Sequence, residues 1–100
     1  MKIIKDYVEA IDEEIEGAQK YAEKYIEALA GGDIHHANQY NEMSHDELRH
    51  AGYIHAIAVE VINSINKVYR APESMLDKWE KAHREYLERV SWIKNMLENS

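Results

Sequence analysis

The sequence predicts an all-α protein built as a long antiparallel helical hairpin followed by a third helix. Apolar residues recur at steps of three and four over three long stretches. The strongest breakers fall together at only two places, Gly31-Gly32 and Ala71-Pro72. Hydrophobic residues make up 45% of the 100 positions and charged residues 31%, which suits one folded domain over residues 1–100 rather than a disordered chain. A chain of this length buries a limited core, so a partner subunit is a natural way to complete it.

The first helix is expected over about residues 2–30, where Ile4, Val8, Ile11, Ile15, Ala18, Ala22, Tyr25 and Leu29 share one face. Gly31-Gly32 ends it, because glycine accepts the left-handed geometry of a helix C-terminus. Asp33 is placed to cap the second helix. That helix is expected over about residues 34–70, with Ala37, Tyr40, Ser44, Leu48, Ala51, Ile54, Ala58, Val61, Ile65 and Val68 in its apolar row. Pro72 pushes Ala71 out of the α region and is well suited to the first position of a third helix. The third helix, about residues 72–98, aligns Leu76, Trp79, Ala82, Tyr86, Val90, Ile93 and Leu97.

Composition removes several functions. Nineteen acidic residues face twelve basic ones, a formal charge of −7, and a nucleic-acid binder needs a clustered basic face instead. Without cysteine there is no disulfide, no thiolate zinc site and no sulfur-ligated iron. The opening Met1-Lys2-Ile3-Ile4-Lys5-Asp6 is charged, so no secretory signal is expected, and no apolar run approaches a membrane span. The expected location is the cytoplasm.

The informative residues are polar ones inside apolar rows. In the first helix, Tyr7, Ile11, Ala18 and Tyr21 bracket Glu14 at helical spacing, whereas Glu9, Glu13, Glu16, Glu23 and Glu27 fall toward the polar side. A charge on a packing face is costly unless partnered. The second helix repeats the anomaly: the row Tyr40, Ser44, Ala51, Ile54 passes through Glu47, and His50 follows one turn later. Glu47-Leu48-Arg49-His50 thus offers an oxygen and an imidazole nitrogen to one point, the ligand step of di-iron carboxylate bundles. Counting from the turn, Glu14 and Glu47 lie roughly 24 and 21 Å away at 1.5 Å per residue, so antiparallel helices bring them to one height. Gly17, Ala18, Ala51 and Gly52 are small enough to let the helices approach there. The competing reading makes Glu47 and Arg49 surface charges and His50 a satisfied core histidine, with Glu14 partnered by a tyrosine or lysine.

The segment Glu14-Ile15-Glu16-Gly17-Ala18-Gln19-Lys20-Tyr21, joined to Glu47-Leu48-Arg49-His50 thirty-three residues after Glu14, resembles the ferritin-like superfamily, in particular rubrerythrins and bacterioferritins. The likeness covers about residues 4–65. It implies Glu14 as a terminal carboxylate ligand, Glu47 as a bridging one, His50 as the nitrogen ligand and Tyr21 as a nearby phenol of catalytic use. Glu16 is the register alternative to Glu14. A complete family member carries a second helical pair with the same ligands, and this chain has only one more helix. The resemblance therefore implies a homodimer or higher homo-oligomer, similar in plan to encapsulated ferritins, in which two hairpins form a ferritin-like four-helix bundle around two iron ions. Manganese and zinc are the other metals this ligand set accommodates. The implied activity is oxidation of ferrous iron by oxygen or peroxide; the rival is a non-enzymatic helical interaction or assembly module on the same framework.

Helix three contains a second Glu-x-x-His, Glu80-Lys81-Ala82-His83. If helix three folds straight back from Pro72, these residues come level with Val59 to Ile62, over ten ångströms from His50 by the helical rise. Glu88 comes nearer. His83 is accordingly expected to be structural, Trp79, Tyr86, Trp92 and Met96 to pack, and His35 and His36 to be exposed beside the turn. His45 and His55 show no partner in the pattern.

Overall fold

A computed structural model describes residues 2–99. It contains α1 (Lys2–Ala30), α2 (Ile34–Val68) and α3 (Glu73–Glu98), and no strand among the described residues. The molecule is a rod of 55 × 18 × 17 Å. Its length is that of α2, whose 35 residues span about 52 Å at the helical rise.

The α1–α2 turn closes as the glycines require. Gly32 takes φ 75°, the only positive φ among the described residues. The Asp33 and Gly32 amides donate to the Ala28 and Leu29 carbonyls at 2.9 and 3.0 Å, which satisfies the end of α1. Asp33 then caps α2, accepting from the His36 amide at 3.2 Å and meeting the His36 ring at 2.6 Å. Those bonds hold the Asp33 carboxyl below the ordinary carboxylate value.

The second connection departs from expectation. Helix α2 ends at Val68 rather than near Arg70, and Pro72 stands as the N-cap, one residue ahead of helix α3. Tyr69 (φ −125°, ψ 130°) and Pro72 (φ −57°, ψ 139°) are extended, and the Ala71 amide donates to Asn66 Oδ1 at 3.1 Å. An extended residue advances about twice as far as a helical one. The link therefore carries α3 about one helical turn further along the hairpin than a straight fold-back allows. His83 meets His55 instead of lying level with Val59, Tyr86 reaches Gly52, and Leu97 reaches Asn41.

The main core joins Ile11, Ile15, Ala18 and Ala22 of α1 to Leu48 and Ala51 of α2 and Ile93 and Leu97 of α3. A second cluster of Ile4, Ile62, Ala71 and Met75 closes the end near the α2–α3 link. Helices α1 and α2 approach closely where Ala18 and Ser44 are both fully buried, and the Ser44 hydroxyl donates to the Ala18 carbonyl at 2.7 Å. Trp79, Tyr86 and Met96 pack against the core as expected, but Trp92 is 52% exposed, on a flank of α3 that no other helix covers. No described helix is long and apolar enough to cross a membrane.

Helix α3 covers one side of the hairpin. It meets α1 around Val8, Ile11 and Asp12, and α2 at Asn41, Gly52 and His55. These positions stand roughly 60 to 160° round their helices from Glu14 and Glu47. The opposite side stays open. There Ile3, Tyr7, Glu14, Gly17 and Tyr21 align on α1, and Tyr40, Met43, Glu47, His50, Ile54 and Ile57 align on α2.

Candidate metal centre

Glu14, Glu47 and His50 converge. Each offers one ligand atom, and the three atoms lie within 4.8 Å of one another, the one such group of three or more among the described residues. The His50 Nδ1 to Glu14 Oε2 distance is 3.5 Å. Helix periodicity aims Glu47 and His50 the same way, and the capped two-glycine turn sets the register that brings Glu14 opposite. Arg49, between them in sequence, points elsewhere and pairs with Asp46 at the surface.

Gly17 makes room for this arrangement. A Cβ there would lie 3.1 Å from Glu47 Oε2, so the carboxylate sits closer than it ordinarily could to any residue but glycine. Gly52, expected to serve the same close approach, instead faces Tyr86 on α3, whose hydroxyl would lie 3.8 Å from a Cβ.

The carboxyl of Glu47 is raised above its ordinary value, first by a hydrogen bond with Glu14, then by burial and by the Glu14 charge; His50 opposes this. Two carboxylates crowded together resist full ionisation, and a bound cation relieves that repulsion. The donor set of two carboxylates and one imidazole suits iron, manganese or zinc. The centre is only partly sheltered: the Glu14 side chain is 28% exposed and that of His50 51% exposed. The expectation of a carboxylate on a packing face is thus met by an edge of the open face, not by the core.

Tyr21 is not in the ligand group. Its ring stacks with Tyr40 at 6.4 Å between centroids, two helical turns from Glu14 toward the hairpin turn. Glu16 is exposed and takes no part. Glu80 and Glu88 are exposed on α3, outside the group.

Sequence reasoning missed one polar cluster. His55 Nε2 and His83 Nδ1 are 2.7 Å apart, and His55 also packs on Tyr86 at 4.6 Å and Trp79 at 5.4 Å between centroids. The signal was available, since Trp79, His83, Tyr86 and Val90 fall on one face of α3, but the assumed fold-back placed His83 a turn away. No family model, curated protein or solved structure matches the chain.

Proposed function

We propose that the chain is a ferritin-like carboxylate metal protein whose dinuclear centre forms between two copies. The observation that carries this reading is the convergence of Glu14, Glu47 and His50 on the side of the hairpin that α3 leaves open. Three donors leave a metal under-coordinated, and a twofold partner doubles them to four carboxylates and two imidazoles. Four negative charges then balance two divalent cations. Exposed Met43 and Ile57 flank the ligands on α2 and give such a partner apolar surface to cover.

Each residue has a role in this arrangement. Glu14 and Glu47 would hold the metals through carboxylate oxygens, Glu47 from the space beside Gly17, and His50 would add an imidazole nitrogen. When bound, a ferrous pair supplies the electrons that reduce oxygen or peroxide. Tyr21, which stacks on Tyr40 two turns away, would be the nearby electron donor in this reading.

Anaerobic titration with Fe²⁺ tests the proposal: binding saturates near one metal per chain, Glu47→Ala abolishes it, and the mass in solution is that of a dimer or larger assembly. Failure to bind any transition metal at neutral pH overturns it.

A second reading, a helical interaction module without redox work, is favoured by the half-exposed Leu87 and Trp92 on the outer surface of α3. Melting curves separate the two. A ligand of the native state at a hundred times its Kd stabilises by about 2.7 kcal/mol. A melting temperature that is unchanged by Fe²⁺, Mn²⁺ or Zn²⁺ selects the interaction module.

A further inference from the structure

The side of the hairpin covered by α3 holds a second, separate pair of side chains able to ligate a metal, His55 and His83. His55 comes from α2, His83 from α3 and Asp12 from α1, and all three line one cavity of about 10 Å³ with Val8, Ile11 and Tyr86. That volume is room for about one water-sized occupant. The His55 and His83 rings have centroids 4.9 Å apart while their nearest nitrogens are 2.7 Å apart, so they meet edge to edge in an N–H···N bond rather than face to face. One proton is shared between two nitrogens that each have a lone pair in one tautomer.

We propose that this cavity is a cation site in which His55 Nε2 and His83 Nδ1 bind one divalent transition metal that favours imidazole, of the zinc type. The metal takes the place of the shared proton, which moves to the far nitrogen of its own ring; the imidazoles stay neutral and no other bond changes. Two nitrogens on a tetrahedral zinc at the usual bond length stand about 3.4 Å apart, so the rings need to part by roughly 0.7 Å.

The surroundings favour neutral, ligating imidazoles. Burial, and then the neighbouring His83, hold the His55 ring below the ordinary histidine value. Asp12, which lines the same cavity, is held by Arg89 at 3.4 Å. The site shares no residue with Glu14, Glu47 and His50, so it stands or falls independently of the proposed dinuclear centre.

The test uses Zn²⁺ alone, added to the Glu47→Ala full chain, with calorimetry and long-range ¹H–¹⁵N spectra of the imidazoles. The expected result is one zinc per chain and joint displacement of the His55 and His83 ring signals. His83→Asn removes that event while the helical circular dichroism stays at the parent level. The unsubstituted chain, followed by the same ring signals, gives a readout that needs no variant. Zinc that moves only the exposed His35 and His36 signals, or that binds His83→Asn unchanged, overturns the proposal. Loss of iron binding in the unsubstituted chain would instead count against the dinuclear centre and leave this site standing.

Discussion

Glu47 lays its carboxylate over Gly17, with Oε2 3.1 Å from where a Cβ would stand. Glycine inside a helix costs about 0.5–1 kcal/mol relative to alanine. At this position that cost leaves room for the Glu47 carboxylate. Gly17→Ala is expected to keep or slightly raise the stability of the metal-free protein, because the flexible end of Glu47 gives way by a few tenths of an ångström. The same displacement moves Glu47 off its proposed ligating position, so metal affinity is expected to fall. Parallel denaturation and Fe²⁺ titration check this; affinity and stability moving in the same direction would refute it.

His55 makes the stability of the metal-free protein depend on pH. Its ring is held below the ordinary value of 6.5 by burial and by His83, so the folded state binds fewer protons than the unfolded state in that range. The groups facing it are Asp12 from α1 and His83 and Tyr86 from α3. Stability therefore rises with pH up to about the unfolded histidine value and is lost as pH falls toward the lowered folded one. Urea denaturation at several pH values between 5 and 7.5 should show this slope, and His55→Gln should flatten it. An equal slope in the variant would assign the dependence to other groups.

Much of the fold was legible because each signal was local. The row Ile4, Ile11, Ile15, Ala18, Ala22 is buried as its spacing predicts, and Asp33 caps where the sequence places it. The ligand group was legible for the same reason: Glu47 and His50 share a helix face, and the distance to Glu14 follows from counting residues through a short turn. What depended on the second connection was not legible. Running α2 to about Arg70 and folding α3 straight back from Pro72 put His83 beside Val59, and the extended link over residues 69–72 shifted α3 by a turn. The exposure of Trp92 was hidden as well, since an amphipathic pattern does not say how many neighbours cover a third helix.

Ile93 tests how far the centre depends on α3. It is fully buried and packs with Ile11, Ile15, Ala18 and Leu48 on the side away from His50. Ile93→Ala is expected to cost about 2–5 kcal/mol, the lost transfer energy together with the cavity it leaves. The proposed ligands all belong to the hairpin, so the fraction that remains folded should still bind one metal per chain. Calorimetric titration at a temperature well below the variant's melting point separates these effects. Loss of metal binding in folded Ile93→Ala would show that α3 helps to shape the centre.

Ile57 tests whether the open face is where two copies meet. It is 50% exposed, three residues beyond Ile54 on the stripe that carries Glu47 and His50, and it is not one of the converging group. In a monomer Ile57→Arg is a surface change, expected to alter stability by less than about 0.5 kcal/mol. In a twofold dimer closed on this face the substitution occurs twice, and each arginine loses water without gaining a partner. A penalty of roughly 2–3 kcal/mol weakens the dimer about a hundredfold. The expected outcome is a monomer by light scattering with unchanged helical dichroism, and with iron binding lost although Glu14, Glu47 and His50 are all intact. If the variant keeps both its mass and one iron per chain, the partner does not sit on this face and the centre must be completed another way.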